Sequence, residues 1–288
     1  MVDPRIPSSI AMPVNTAELA PGAVHPPEAN QAAKTPQRSV AGRGPQPCLG
    51  TPVLSVVVPA HNEAGNLPGL VAEILAALRG VVDFEIVCVD DASSDDTLDA
   101  LQSLRAQAPE LRILRHATRC GQSTAIRNGV RAARGAWVAT LDGDGQNDPA
   151  DIPRLLQARD AAAADVRLFA GWRVQRRDSG GKRWASRWAN AIRARLLGDD
   201  TPDTGCGTKL FERAAFLDLP YFDHMHRYLP ALMQRAGWRT LSVPVNHRPR
   251  ASGVSKYDNL GRALVGIVDL CGVLWLIRRS RLPRAEEV

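Results

Sequence analysis

The strongest constraint on the fold is an alternation, between residues 54 and 141, of short apolar runs with segments of helical spacing. Leu54-Ser55-Val56-Val57-Val58 is a β-branched run ended by Pro59 and reads as a buried parallel strand. From Asn66 to Leu78, apolar residues recur at Leu67, Leu70, Val71, Ile74, Leu75 and Leu78, a helix with Asn66 as its cap. Phe84 to Val89 is a second strand that stops at Asp90-Asp91, and Thr97 to Ala106 a second helix capped by Ser94 or Asp95. Leu111 to Leu114, Ser123 to Arg134 and Ala136 to Leu141 follow as strand, helix and strand. This order predicts right-handed crossovers and an α/β fold with a mostly parallel central sheet flanked by helices. In such sheets the ligand crevice lies beyond the carboxyl ends of the strands. His61-Asn62-Glu63, Asp90-Asp91 and Asp142-Gly143-Asp144 all fall there.

The turn Asp142-Gly143-Asp144-Gly145-Gln146 carries two carboxylates and an amide. Alternate residues of an extended segment point the same way, so Asp142, Asp144 and Gln146 can converge on one point. Such oxygen donors suit Mg²⁺ or Mn²⁺, and that ion would also bridge a substrate diphosphate. An EF-hand calcium loop would need Gly and Glu where Asn147 and Pro153 stand, which excludes it. Asp148 is placed to cap a helix after Pro149, which leaves Asp142 and Asp144 unexplained. The adjacent carboxylates of Asp90 and Asp91 exceed what a cap requires and suit the ribose hydroxyls and base N–H of a nucleotide. No Gly-x-Gly-x-x-Gly follows the first strand, and no Gly-x-x-x-x-Gly-Lys-Ser/Thr occurs. A dinucleotide dehydrogenase and a P-loop enzyme are set aside, and a metal has to neutralise the diphosphate.

Composition bears mainly on partners and on the chain ends. With 36 Lys+Arg against 30 Asp+Glu, the net charge of +6 favours an anionic partner. The five cysteines are widely spaced without Cys-x-x-Cys, which fits free thiols in a reducing compartment. Residues 1–50 hold nine of the 21 prolines and no apolar period, and are expected to be a disordered Pro/Ala-rich tail without a signal peptide. Ala263 to Ile277 is almost continuously apolar, broken by Asp269 and followed by Arg278, Arg279, Arg281 and Arg284. A spanning helix needs roughly 20 such residues, so this segment is either a core helix or one lying on a membrane surface. The chain thus divides into a tail (1–50), a catalytic domain (51–260) and an interfacial helix with a basic tail (261–288).

Three ordered motifs carry a resemblance. They are Val58-Pro59-Ala60-His61-Asn62-Glu63, Val89-Asp90-Asp91-Ala92-Ser93-Ser94-Asp95-Asp96-Thr97, and the Asp-x-Asp turn at Asp142 and Asp144. Together they resemble family 2 glycosyltransferases of the GT-A fold. The extended turn through Asn147-Asp148-Pro149 is similar to the polyprenyl-phosphate group, the dolichol-phosphate mannosyltransferase type. The resemblance implies that Pro59, Glu63 and Asp91 hold the nucleoside, and that Asp142, Asp144 and Gln146 hold the metal and diphosphate. His61 stands where the family usually has Tyr, and its imidazole can still sit against a base or ribose.

Past Ala170 the chain turns basic, with Arg173, Lys182, Arg183, Arg187, Arg193 and Arg195 interleaved with Trp184 and Trp188. This pattern suits either single-stranded nucleic acid or a membrane interface. The resemblance favours the membrane and implies that Arg173, Arg183 and Ser186 hold an acceptor phosphate; no nucleic-acid partner is expected. Arg250, Ser255 and Lys256, in a loop resembling the family's Arg-x-x-Gly-x-Ser-Lys element, supply further phosphate-binding groups. Asp203-Thr204-Gly205-Cys206-Gly207 resembles the family's turn near the acceptor. His224 and His226 offer a metal pair without a visible third ligand.

The implied reaction transfers a sugar, with inversion, from GDP-mannose or a UDP-hexose to a polyprenyl phosphate such as undecaprenyl or dolichyl phosphate. Asp142, Asp144 and Arg173 form the expected catalytic set. The implied location is cytoplasmic, peripheral on the cytoplasmic face of an anionic membrane. A transferase acting on a sugar hydroxyl would need a carboxylate base, for which only Asp203 offers itself. A non-catalytic nucleotide-sugar or nucleic-acid-binding module is the alternative outside the enzymes.

Overall fold

The computed structural model describes residues 52–174, 193–199, 201–248 and 259–281. The expected tail and the Trp184–Trp188 segment lie outside these residues. Within them, one sheet contains β1 (Leu54–Ala60), β2 (Phe84–Asp90), β3 (Leu111–Arg115), β4 (Trp137–Thr140), β5 (Val166–Arg173), β6 (Lys209–Glu212) and β7 (Arg239–Val245). Its order is β3-β2-β1-β4-β6-β5-β7. The first four strands are parallel, as expected; β6 runs antiparallel between β4 and β5, and β7 pairs parallel with β5.

The alternation of side chains along the strands builds a core on both faces of the sheet. Val56, Val58, Ile86 and Cys88 lie in one cluster with Leu67, Leu70 and Ile74 of α1 (Leu67–Leu78). Val57, Val87 and Val89 lie in the other with Ala125, Ile126 and Val130 of α3 (Gln122–Ala132). The charged Glu85 inside β2 is buried because Ser55 Oγ (2.7 Å), Arg134 N (2.6 Å) and Arg112 Nη1 (2.5 Å) donate to it. Such a group is stable in a core only when its oxygens are bonded.

Local chemistry shifts several expected boundaries. Strand β1 continues through Pro59 to Ala60, because pairing with β4 stops at Val57 and no N–H is needed on that side. Asn66 precedes α1 without capping it; its amide donates to Glu63 Oε2 instead (2.6 Å). Asp95 serves α2 (Thr97–Leu104), accepting from Thr97 N (3.1 Å). Asp148 accepts from Ala150 N (3.1 Å) at the start of the turn leading into α4 (Ile152–Ala161), as its position suggested.

Two short helices, α5 (Arg213–Leu217) and α6 (Leu229–Arg235), cover the second half of the sheet. The C-terminal helix α7 (Asn259–Arg279) is longer than its apolar run. Leu270, Val273, Leu274, Leu276 and Ile277 pack against the cluster containing α3, α5 and α6. Asp269, the break in the apolar segment, meets His224 Nδ1 at 3.0 Å, and Tyr228 Oη donates to Gly266 O at 3.1 Å. The opposite face exposes Ile267, Val268 and Trp275, the last at 60%. Among the described residues, no helix is long and apolar enough to cross a membrane.

Candidate active site

The strand order changes direction between β1 and β4, which makes their carboxyl ends the natural crevice. Asp142 follows β4 after one residue, Leu141. Its Oδ1 accepts from Gln122 Nε2 at 2.8 Å, and its N donates to Asn147 Oδ1 at 2.7 Å. Asp144 Oδ1 accepts from Gln146 N at 3.1 Å, so the main chain of Gln146 closes the turn. A Cβ on Gly143 would lie 2.9 Å from Pro59 O, so the turn presses against the end of β1. Burial, and then the charge of Asp144, push the Asp142 carboxyl up to about 6, against the pull of Lys209, Arg173 and Gln122.

The end of β2 is organised around Asp91. Its Oδ1 accepts from His116 Nδ1 (2.7 Å) and Cys120 N (2.7 Å), and its Oδ2 from Gly121 N (2.8 Å). Burial alone would raise this carboxyl, but these donors outweigh it and hold it below its ordinary value. His116 Nε2 lies 3.0 Å from Asn128 Nδ2, and His61 Nδ1 lies 2.9 Å from the Asp91 carbonyl. Asp91, His116 and Cys120 offer ligand atoms within 4.8 Å of one another, yet both ring nitrogens of His116 already face hydrogen-bond partners. Asp90 is wholly buried; Ser93 N donates to its Oδ1 (3.0 Å) and Arg115 Nε lies 3.6 Å from its Oδ2. Asn62 and Ala92, both non-glycine, take positive φ (57° and 53°) at these strand ends, a strain that clusters at functional sites.

The antiparallel course of β6 brings a third group to the crevice, because Lys209 at its start pairs with Thr140 at the end of β4. The preceding Asp203–Thr208 segment therefore lies against Asp142. Arg173, at the end of β5, donates to Asp203 through Nε (2.6 Å) and Nη2 (2.8 Å), a bidentate pair that fixes the guanidinium plane. Lys209 is buried, donates to Cys206 O, and has its pKa lowered by that burial. Arg248, after β7, bonds Gln146 O through its N (3.0 Å) and Asp148 through its guanidinium (2.5 Å). Arg183, Ser186, Arg250, Ser255 and Lys256 lie outside the described residues. His224 and His226 have separate partners: Asp269 for the first and Ser123 Oγ (2.7 Å) for the second. Gln122, His116, Asn128 and Lys209 are the neighbours of the site that sequence reasoning missed; Gly207, expected near the acceptor, lies against Asp142.

Comparison with known proteins identifies the family and the fold. Residues 55–219 match the family model "Glycosyl transferase family 2". A dodecaprenyl-phosphate galacturonate synthase from Rhizobium johnstonii is 34% identical over 235 residues, covering 80% of this chain and 69% of that protein. An undecaprenyl-phosphate 4-deoxy-4-formamido-L-arabinose transferase from Pseudomonas paraeruginosa is 36% identical over 209 residues, covering 72% of this chain and 60% of that protein. Among solved structures, glucosyl-3-phosphoglycerate synthase from Mycobacterium tuberculosis with Mn²⁺ and UDP is similar, with TM-score 0.60 and 20% identity over 81% of this chain and 80% of that one. A mannosyltransferase from Pyrobaculum calidifontis with GDP-Man and Mn²⁺ gives 0.58 and 20% over 81% and 66%. Both structures share the GT-A fold with this chain. By the family match and the sequence identity, this chain belongs to glycosyl transferase family 2 and is a glycosyltransferase.

Proposed function

We propose that the protein transfers a sugar, with inversion, from a nucleotide-diphosphate sugar to a polyprenyl phosphate. The observation that carries this reading is the Asp142–Asp144 pair at the end of β4, facing Gln122, Gly207 and Lys209 across the crevice. The names of the relatives support the lipid phosphate acceptor. Two carboxylates on one turn, one raised partly by the charge of the other, fit a divalent cation. Asp142, Asp144 and Gln146 would hold Mg²⁺ or Mn²⁺, which when bound supplies positive charge to the departing diphosphate.

The remaining roles fall to the chain itself. Pro59, His61, Glu63 and Asp91 form the nucleoside end of the crevice; Asp90, expected with them, is wholly buried and out of a ligand's reach. Arg173, held in plane by Asp203, orients the acceptor phosphate, with Arg183, Ser186, Arg250, Ser255 and Lys256 as its partners. A phosphate monoester has a second pKa of about 6 and is largely dianionic at neutral pH, so it needs no strong base to attack. Asp203, the one base that a hydroxyl acceptor could use, is engaged by Arg173. A screen of nucleotide sugars with a short polyprenyl phosphate tests the reading: nucleoside diphosphate should be released with the lipid phosphate present and not without it.

The acceptor is a membrane lipid, and the outer face of α7 fits the surface bearing it. Ile267, Val268 and Trp275 are exposed there, and Arg278, Arg279 and Arg281 follow as exposed cations at its end. We place the protein peripherally on the cytoplasmic face of an anionic membrane. Trp275→Ala should weaken co-sedimentation with anionic vesicles several-fold while leaving the melting temperature unchanged; unchanged vesicle binding would contradict this placement.

A further inference from the structure

A lysine is buried beside the Asp142 turn, and its charge needs an account. Lys209 is only 4% exposed. It opens β6 opposite Thr140, two residues before Asp142. Its ammonium folds back to donate to Cys206 O, the carbonyl of the peptide that leads into Gly207. Gly207 in turn packs so closely on Asp142 that a Cβ there would overlap its Oδ2. Thr140 Oγ1 donates to Gly207 O at 2.7 Å, which ties this segment to the end of β4. The ammonium is therefore fixed one peptide away from the Asp142 carboxylate, inside the protein and out of reach of a substrate.

Two cations act on Asp142, and they are not equivalent. Arg173 spends its charge on Asp203, through Nε at 2.6 Å and Nη2 at 2.8 Å. Lys209 bonds a neutral carbonyl, and among the described residues no carboxylate forms an ion pair with it. Burial disfavours its charged form, while the fields of Asp142 and Asp203 favour it. An apolar side chain of similar length would fill the same place without that desolvation cost. Packing alone therefore does not explain a lysine at this position.

We infer that Lys209 is a resident counter-charge of the Asp142–Asp144 turn, a positioning residue that sets the net charge this turn presents to the diphosphate. Two carboxylates cancel a divalent cation completely. With Lys209 behind them the same group keeps one positive charge, directed to where negative charge develops as the diphosphate departs. Before an ion binds, Lys209 offsets the repulsion between the two carboxylates. The inference rests on the metal reading of the site given above. It carries a cost that can be measured, because a fixed cation this close also repels the ion. Removing Lys209 would weaken the hold on one negative charge, that of Asp142, but would lift a repulsion acting on two positive charges. The second effect wins at similar distances, so the ion should bind more tightly without the lysine.

Three variants of the full chain separate charge from shape. Lys209→Gln removes the charge and can still donate to Cys206 O, Lys209→Met removes both, and Lys209→Arg keeps the charge. Each is titrated with Mn²⁺ alone at neutral pH, free Mn²⁺ being read by electron paramagnetic resonance, and turnover is measured separately at saturating Mn²⁺. The Gln and Met variants should bind Mn²⁺ about tenfold more tightly than the wild type and turn over about tenfold more slowly, whereas the Arg variant should match the wild-type Mn²⁺ affinity. A side chain that only supported the fold would lower affinity and turnover together. Unchanged or weaker Mn²⁺ binding by a folded Gln or Met variant, or an Arg variant binding as tightly as the Gln variant, would overturn the inference while leaving the metal reading in place. If the wild-type chain binds no Mn²⁺, the metal reading itself fails and this inference falls with it.

Discussion

Asp144→Asn should abolish sugar transfer and leave the fold intact. Asp144 is buried at the turn after β4, where its Oδ1 accepts from Gln146 N at 3.1 Å. An amide oxygen can keep that bond, so the turn has no reason to open. The substitution removes one of the two negative charges that fit the site to a divalent cation, and with it part of what raises Asp142. Losing a preorganised charge opposite the developing one costs roughly 10²–10³-fold in turnover, and more where the whole ion is lost. Turnover with saturating Mn²⁺ beside a thermal melt separates the two effects: activity should vanish while the melting temperature stays within a few degrees. A purified variant with full activity in excess EDTA would remove the metal from the account.

Gly207→Ala should be nearly as damaging, through shape rather than charge. A Cβ at this position would lie 2.2 Å from Asp142 Oδ2, 2.4 Å from its Cγ and 2.7 Å from Asn147 Oδ1. Thr140 Oγ1 donates to Gly207 O at 2.7 Å, so the main chain is tied to the end of β4 and has little room to retreat. The Asp142 carboxylate would have to swing away from Gln122. A displacement of about 1 Å in a positioned group costs on the order of 10²-fold in rate, and overpacking costs about 1–3 kcal/mol in stability. Gly205→Ala in the same turn is the control, because its Cβ would meet nothing nearer than Arg173 Nη2 at 3.4 Å. Equal activity of the two variants would show that the close approach of residue 207 does not hold Asp142.

The first half of the fold was legible because its strands are continuous apolar runs and its helices have one apolar face. The placement of the acidic clusters at the strand ends followed from those runs. The second half was not legible in the same way. Strand β6 is only Lys-Leu-Phe-Glu, and its antiparallel course is set by pairing with β4, some seventy positions earlier in the chain. Lys209 looks like a surface residue until that pairing buries it. His116 follows β3 and Asn128 sits in α3, and they meet only when α3 packs against β1 and β2, so no spacing rule would join them to Asp91. Gly207 did carry a signal, as a glycine in a turn near the acceptor, but the carboxylate that it accommodates is visible only in three dimensions. Asp269 was read as a break in an apolar segment; its partner His224 explains how a carboxylate sits in that helix.

The acceptor is the central claim, and one measurement reaches it directly. Labelled nucleotide sugar is incubated with the protein, Mn²⁺ and either a short polyprenyl phosphate or the matching polyprenol, and label entering the organic phase is counted. The account predicts labelled lipid with the phosphate and none with the alcohol, because only the phosphate is already a nucleophile at neutral pH. Label transferred equally well to the polyprenol, or to a saccharide with no lipid present, would contradict it.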